Sequence, residues 1–311
     1  MTRYPKYDSL KELAPYYFQT QESAPVPQRL ADQEIWYGHS IFTSSLFPQN
    51  PPKEPTSFIV KRQVNYEYIL EAGIDPATKT QKFPYGKYPR MIMCWIAKRI
   101  RMAGKKGDKY VDPKKMSIRI PSLSHLAAEL GIAKGGVTLC AINEQIRALT
   151  LCSISVHKCS GFAASRNRRE IVNLPLTRAI IFDECENIRE NGFVMILTPE
   201  IWNILSKETA PFDFQAAKAL LKGRRVMAHD IYIWMVGTYF NMRFPRNFSW
   251  HWLHETFGDG LSDERNFRFR FRRNICMVNL FYPQARFEIT KEGVTLLPSR
   301  PAIEPRRTSR H

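Results

Sequence analysis

The chain has 311 residues and a formal net charge of +17, with 44% hydrophobic and 24% charged residues. This length accommodates two domains with hydrophobic cores, and the composition is that of a soluble globular protein. No apolar run approaches the roughly 20 residues that a membrane-spanning helix needs, so the sequence predicts no integral membrane segment. The charge excess favours an anionic partner, either nucleic acid or an anionic membrane surface.

The beginning of the chain lacks the apolar core of a secretory signal, which favours a cytoplasmic protein. None of the six cysteines forms a C-x-x-C pair, so zinc-ribbon and thioredoxin spacings are absent. We expect the cysteines to be reduced packing residues, because most have apolar neighbours.

Residues 1–82 are predicted to form a partly ordered extension, because their many prolines interrupt regular structure. Within this segment, the β-branched and aromatic stretch from Ser57 to Glu71 is typical of a strand. The tail at residues 304–311, EPRRTSRH, is basic and is expected to be disordered.

Residues 83–210 are predicted to form a first domain. Its helical pattern begins with Tyr88–Ala103 and is followed by the short strand SIRIP. Two further helices, SLSHLAAELGI and Val137–Leu149, flank a turn at Lys134-Gly135-Gly136. The strands LCSISVHK and REIVNLPL, joined by a basic tip, complete the order of a winged helix-turn-helix with this hairpin as its wing.

Residues 211–303 repeat this order about 130 residues later. A long helix, RRVMAHDIYIWMVGTYFNM, precedes the strand NFSW and the helix HWLHETFG. Ser262–Tyr282 is the next helix, and two strands joined by Lys291-Glu292-Gly293 follow it. Repetition of one supersecondary order predicts an α+β fold of two tandem winged helix-turn-helix domains.

The helix Ser262–Tyr282 is amphipathic. Apolar residues such as Phe267, Phe271 and Val278 recur at helical spacing, and five arginines within nine residues occupy the other faces. Such a cluster repels itself unless an anion lies opposite, and duplex DNA is a common anion of that size. The arginines can also be a solvated face of an ordinary surface helix, and the helix alone leaves both readings open.

Motifs for other chemistry are weak. His251 and His254 do not fit the spacing of zinc proteases, and no segment fits the phosphate-binding loop of ATPases. We therefore expect a protein without enzymatic activity, cofactor or metal ion. An alternative is a metal-dependent nuclease or primase that uses Asp183, Glu184 and Glu186.

Six segments resemble the plasmid replication initiator RepA family, initiators built from two winged helices. They are FPYGKYPRMIMCWIAKRI, the ELGI…KGG turn, AHDIYIWMVGTYF, FSWHWLHETFG, NFRFRFRRNICMVNLFYP and GVTLLPSRPAI, spanning about residues 83 to 303. The resemblance implies binding to repeated duplex sites (iterons) at an origin, help in opening it, and recruitment of the host initiator ATPase and replicative helicase. A transcriptional repressor on the same scaffold remains an alternative.

The resemblance implies that the second domain makes most of the sequence-specific contacts with DNA. Arginine suits guanine and asparagine suits adenine, and lysine at a wing tip contacts phosphate. The predicted DNA-binding residues of the second domain are Arg265, Asn266, Arg268, Arg272, Arg273 and Lys291. Phe269 either touches a thymine methyl group or packs against a neighbouring helix.

The first domain has two open roles, phosphate contact and protein contact, and the resemblance implies that initiators of this kind use it to form a homodimer. Its helix Val137–Leu149 is a poor DNA face because Glu144 flanks the polar residues. The predicted DNA-binding residues of the first domain are Lys134, Asn143, Arg147, Lys158, Arg166, Arg168 and Arg169.

Overall fold

The computed structural model describes most of the chain from Leu30 to Ile303. The described residues are 30, 34–39, 42, 46–52, 56–63, 66–76, 78–159, 169–221, 226–240 and 242–303. The chain forms two compact units. The central unit spans Ile41–Thr209, and the C-terminal unit combines Met1–Ser40 with Ala210–His311.

The central unit contains four helices and ten strands among its described residues. Its helices are α1 (Lys87–Lys106), α2 (Leu123–Glu129), α3 (Gly136–Leu151) and α4 (Pro199–Lys207). Its strands are β2 (Phe58–Gln63), β3 (Tyr66–Glu71), β4 (Gly73–Ile74), β5 (Gln81–Lys82), β6 (Val111–Asp112), β7 (Ser117–Ile120), β8 (Ser153–Cys159), β9 (Arg169–Asn173), β10 (Thr177–Asp183) and β11 (Gly192–Leu197).

The C-terminal unit contains four helices and five strands among its described residues. Its helices are α5 (Phe214–Leu220), α6 (Val226–Phe240), α7 (Trp250–Phe257) and α8 (Glu264–Phe281). Its strands are β1 (Ile35–Gly38), β12 (Ala210–Asp213), β13 (Arg246–Ser249), β14 (Arg286–Ile289) and β15 (Gly293–Leu297). These elements give the chain a mixed α/β fold. The helices and strands predicted between residues 83 and 303 occur in the predicted order, but the structure adds elements that were not predicted, such as β10, β12 and α5.

Helix ends follow local chemistry that the sequence displays. The Ser122 side chain accepts a hydrogen bond from the backbone N–H of His125 and caps α2. After α2, Gly131 adopts a φ of 62°, a left-handed conformation that favours glycine. Ser249 caps α7 in the same way as Ser122, through the backbone N–H of Trp252.

The C-terminal unit is organised around α6, which is buried on nearly all sides. The Trp234 ring on α6 contacts the rings of Phe248, Trp252 and Phe257. Because most of its circumference is apolar, the helices α5, α7 and α8 and the strand β12 pack against it.

Three antiparallel strands lie beside these helices in the order β13-β15-β14. Gly293 begins the central strand β15 opposite Ser249. A Cβ atom at Gly293 would lie 1.9 Å from the carbonyl oxygen of Phe248, so this close approach of two strands requires glycine.

Strand pairing in the central unit contradicts one prediction. The hairpin β8–β9 was expected to be the wing beside the strand SIRIP, but it joins β2 and β3 in a separate sheet ordered β2-β3-β8-β9. The strand β7, which contains SIRIP, instead pairs with β11 of the hairpin β10–β11. Alternating side chains reveal that a segment is a strand, but they do not specify its partner, so the sequence did not predict that β8 pairs with β3.

The predicted extension at residues 1–82 also differs from the structure in two places. The strands β2 and β3 belong to the central unit, because β2 pairs with β3 and β3 pairs with β8. The strand β1 pairs with β12 of the C-terminal unit, and Trp36 stacks on Phe214 with 3.7 Å between ring centroids. The short helix expected before Pro15 lies outside the described residues.

The cysteine prediction holds in part. Cys94 and Cys152 are buried and form no disulfide, and burial raises the pKa of the Cys152 thiol to about 12. Cys140 and Cys185 are exposed, so these two are not packing residues. Within the described part of the chain, no helix has the length and apolar character needed to cross a bilayer.

Candidate nucleic-acid interface

The helix α8, called here the arginine helix, begins at a strong N-cap. The Asp263 carboxylate accepts hydrogen bonds from the backbone N–H groups of Arg265 and Asn266, at 3.0 and 3.2 Å. Asp263 and the first-turn residue Glu264 also place negative charge at the positive end of the helix. The sequence therefore carries a local signal for the start of the helix at this point.

One face of the arginine helix packs into the C-terminal unit. Phe267, Phe271, Ile275 and Val278 are fully buried, and the arginine helix lies against α6. These residues recur at spacings of three and four, as the sequence predicted for the apolar stripe. Packing of this stripe fixes which side chains remain at the surface.

The opposite face is exposed and basic. The exposed residues on this face are Arg265, Asn266, Phe269, Arg270, Arg272 and Arg273, whereas Arg268 is half-buried at its edge. Within the described chain, no carboxylate forms an ion pair with Arg265, Arg272 or Arg273. These three guanidinium groups therefore keep their full positive charge.

Two arginines of this face are held by a buried tryptophan. The guanidinium carbons of Arg268 and Arg272 lie 5.5 and 5.3 Å from the centre of the Trp250 ring, which is cation–π distance. The Trp250 indole N–H donates to the carbonyl oxygen of Thr290, and its backbone N–H donates to Glu292. Trp250 thus ties the arginine helix to the turn between β14 and β15.

The sequence prediction did not include Trp250. A signal was present in FSWHWLHETFG, but only the fold shows that the Trp250 ring lies beneath two arginines while Trp252 packs against Trp234. A tryptophan two positions further along the same helix therefore has a different role.

Hydrogen bonds within the arginine helix engage other polar side chains. The Glu264 carboxylate accepts from Arg268, with 2.7 Å between Oε1 and Nη2. The Asn266 side-chain oxygen accepts from Arg270 Nε at 3.2 Å. These pairs at a spacing of four orient the side chains along the helix. The Arg268 Nη1 and the Asn266 amide NH2 are not used in these bonds.

Lys291 lies at the exposed turn between β14 and β15. Thr290 Oγ1 accepts from the backbone N–H groups of Glu292 and Gly293, each at 3.2 Å, and shapes this turn. Because Trp250 bonds to the same turn, Lys291 and the arginine helix belong to one connected structure.

The predicted residues of the central unit form a different surface. Lys134 is exposed before α3, and Asn143 is half-buried on α3. Arg147 forms an ion pair with Glu184 and lies 4.4 Å from the centre of the Phe182 ring. The charge of Arg147 is therefore neutralised within the protein.

Other residues on α3 lack positive charge. Val137 is 88% exposed, and Cys140 and Glu144 are also exposed. The hairpin β10–β11 that pairs with β7 has an acidic turn, DECENIREN, unlike the basic tip predicted for the first wing. This combination does not suit a polyanion.

The predicted basic tip of β8–β9 lies largely outside the described residues. Arg166 and Arg168 belong to the residues left undescribed, and for Lys158 and Arg169 only the backbone in β8 and β9 is described. Their predicted phosphate contacts stay predictions.

The acids considered for a metal site are dispersed among arginines. Glu184 is engaged by Arg147, and an Asp183 carboxylate oxygen lies 3.8 Å from Arg119 Nη2. Among the described residues, no group of three or more histidine, cysteine or acidic side chains could hold a metal ion.

A comparison with family models matches residues 83–251 to the plasmid encoded RepA protein family, RepA_C. The match covers more than half of the chain. The chain belongs to the RepA_C family of plasmid-encoded RepA proteins. This confirms the family that the sequence segments indicated. The family match ends within α7, so the arginine helix lies beyond the part of this RepA protein that the model covers.

Solved structures of RctB are similar to this RepA protein. A crystal structure of selenomethionine derivatives of RctB domains 2 and 3 has a TM-score of 0.52 and 11% identity, covering 85% of this chain and 99% of the RctB chain. Another structure of RctB domains 2–3 gives a TM-score of 0.48 and 12% identity, covering 83% and 95% of the two chains. The first likeness shows a shared fold. No curated protein matches this RepA chain.

Proposed function

We propose that this RepA protein is a plasmid replication initiator that binds repeated duplex DNA sites at its origin through the arginine helix. Membership of the RepA family supports the initiator role. The single observation that carries the mode of binding is the exposed arginine face, whose guanidinium groups stand opposite a fully buried apolar stripe.

We propose that the C-terminal unit is a winged helix. Its order α6-β13-α7-α8-β14-β15, with β13 paired to β15, supports this assignment. In that fold the arginine helix is the recognition helix in the major groove. Arginine and asparagine are the side chains that pair with guanine and adenine edges, which Arg265, Asn266, Arg268, Arg272 and Arg273 would supply. Lys291, at the hairpin turn, would contact phosphate.

We propose that the central unit is a second winged helix with β10–β11 as its wing. The pairing of β7 with β11 supports this, since it repeats the pairing of β13 with β15. Its proposed role is protein contact, including formation of a homodimer. The neutralised Arg147 and the exposed Val137 on α3 favour protein over DNA at this surface.

The remaining parts of the proposal rest on the family resemblance. They are recruitment of the host initiator ATPase and replicative helicase. Action in the cytoplasm and the absence of enzymatic activity are also proposed, but they rest on the sequence motifs rather than on the resemblance. A winged-helix repressor is the second candidate, because the same interface would serve it. Replication of a plasmid that carries only this gene and its flanking repeats separates an initiator from a repressor.

The DNA-binding proposal is tested with Arg272→Ala and Arg273→Ala. If these residues contact base edges, each variant loses about 1–3 kcal/mol of binding to a specific duplex. Binding is measured by fluorescence anisotropy on duplexes that the wild-type protein selects from a random-sequence pool, at several salt concentrations.

Arg243→Ala is the matched control, because Arg243 is also exposed in the C-terminal unit but precedes β13. It removes the same charge away from the arginine helix and should retain wild-type discrimination between selected and random duplexes. Equal losses of affinity in all three variants would mean that the protein attracts DNA through its overall positive charge. The proposal that the arginine helix contacts base edges would then be wrong.

A further inference from the structure

Phe269 lies at the centre of the exposed basic face and is 64% exposed. Residues three and four positions away are the nearest neighbours on a helix surface. For Phe269 these are Arg265, Asn266, Arg272 and Arg273, and all four are exposed. An aromatic ring is therefore surrounded on the helix by the residues best suited to DNA.

The packing of the arginine helix does not need this ring. Phe267 and Phe271, two positions away on either side, are fully buried, and their tilted rings contact each other with 5.6 Å between ring centroids. Phe269 points away from them, because residues two positions apart on a helix are separated by about 200° around its axis. The structure thus favours the first of the two roles considered for Phe269, contact with a ligand.

The chemistry of the major groove limits what such a ring can recognise. Most base-edge groups there are hydrogen-bond donors and acceptors, and the 5-methyl group of thymine is the apolar one. If the four neighbours of Phe269 enter the groove, the ring enters with them and loses its water. Removing apolar surface from water is favourable only when an apolar group covers it.

We propose that Phe269 is a specificity-determining residue that selects thymine by packing its ring against the 5-methyl group. The inference rests on the proposed function, because it requires that the arginine helix lies in the major groove. It adds a preference that the arginines cannot supply, since guanidinium groups recognise hydrogen-bond acceptors of the bases or phosphates.

Replacement of thymine by uracil tests this inference, because it removes the methyl group and leaves the base pair's hydrogen bonds unchanged. The probes are duplexes that the wild-type protein selects from a random pool, with each thymine replaced in turn. For the wild-type protein, one position should show a loss of affinity of about fourfold, as expected for one buried methyl group.

The variant Phe269→Ala should bind the thymine and uracil duplexes equally at that position, while Phe269→Leu should keep part of the difference. Arg273→Ala is the control: it weakens binding to both duplexes but keeps their ratio. Comparing the thymine-to-uracil affinity ratio between the wild-type protein and each variant separates the ring–methyl contact from general losses in affinity. Because Phe269 is exposed, its substitution leaves the helical far-UV circular dichroism unchanged.

Two results would overturn the inference. One is a wild-type protein insensitive to uracil at every position, and the other is a thymine preference that persists in Phe269→Ala. Both presuppose that duplexes were selected. Failure to enrich any duplex would instead contradict the proposed function, so the two ideas fail in different experiments.

Discussion

At the scale of single residues, the interface depends on what holds each guanidinium group. Arg265 and Arg273 face solvent, whereas Arg268 and Arg272 lie over the Trp250 ring. A flexible arginine loses rotamer freedom when it binds a ligand. Trp250 restricts two of these side chains before binding and thereby reduces that entropic cost.

We predict that Trp250→Leu weakens binding to selected duplexes by about 1–3 kcal/mol, because each of the two arginines that it no longer restrains must then be ordered on binding, at about 0.5–1.5 kcal/mol per side chain. Trp250→Phe should bind better than Trp250→Leu, since it retains an aromatic face. Binding is measured by anisotropy well below each variant's unfolding temperature, because Trp250 is buried and its loss also lowers stability.

Trp252→Leu serves as the control for that measurement. The Trp252 ring packs against Trp234 and Phe248 rather than beneath the arginines. This variant should lose stability while keeping its DNA affinity once folded. If both leucine variants lose affinity equally, Trp250 has no specific effect on the arginines.

At the scale of secondary-structure elements, the small sheet β13-β15-β14 positions the turn beside the arginine helix. Its central strand approaches β13 closely at Gly293. The orientation of Lys291 and the Thr290 carbonyl that binds Trp250 therefore depends on a glycine at the start of β15.

We predict that Gly293→Ala destabilises the C-terminal unit by about 1–3 kcal/mol, the usual effect of overpacking, because the new Cβ atom would collide with the Phe248 carbonyl. Gly237→Ala on α6 should have the opposite sign. A Cβ atom there meets nothing within 4 Å, and alanine in a helix is favoured over glycine by about 0.5–1 kcal/mol.

Thermal unfolding of both variants, followed by circular dichroism, checks these signs. A lower unfolding temperature for Gly293→Ala together with a higher one for Gly237→Ala is expected. An unchanged temperature for Gly293→Ala would mean that β13 and β15 can separate without cost.

At the scale of the whole molecule, the C-terminal unit is not continuous in sequence, because it combines residues from before and after the central unit. The strand β1 pairs with β12, which lies about 175 residues later in the chain. The aromatic stack of Trp36 on Phe214 fixes this pairing. The C-terminal unit is therefore completed by residues that precede the central unit in the sequence.

We predict that Trp36→Ala destabilises the C-terminal unit by about 3–5 kcal/mol, the cost of truncating a buried large aromatic residue. Hydrogen exchange followed by mass spectrometry should show faster exchange in α5 and α6. Exchange in α1 of the central unit should stay at the wild-type rate. Acceleration confined to α1 would contradict this assignment of β1.

Much of the fold was predictable where the determinants are local. The helices α1, α3 and α6 and the arginine helix appear close to their predicted positions, because periodic apolar residues and side-chain caps act within a few residues. The exposed basic face of the arginine helix follows from the same periodicity. Its arginines could be identified without knowing what packs beneath them.

Features that depend on contacts between distant residues were not predictable. The sequence identified β8 and β9 as a hairpin but did not show that it joins the sheet of β2 and β3, and it could not place Arg147 beside Glu184. The turn that carries Glu184 reaches α3 only through the pairing of β10 with β11 and of β11 with β7.

The sequence by itself determined the family, the helices and the net positive charge of this RepA protein, because each follows from residue types and their spacing. Only the tertiary structure decided which arginines remain free to bind. A nearby carboxylate weakens the attraction of a guanidinium group for DNA, and that carboxylate can be distant in sequence, as Glu184 is from Arg147.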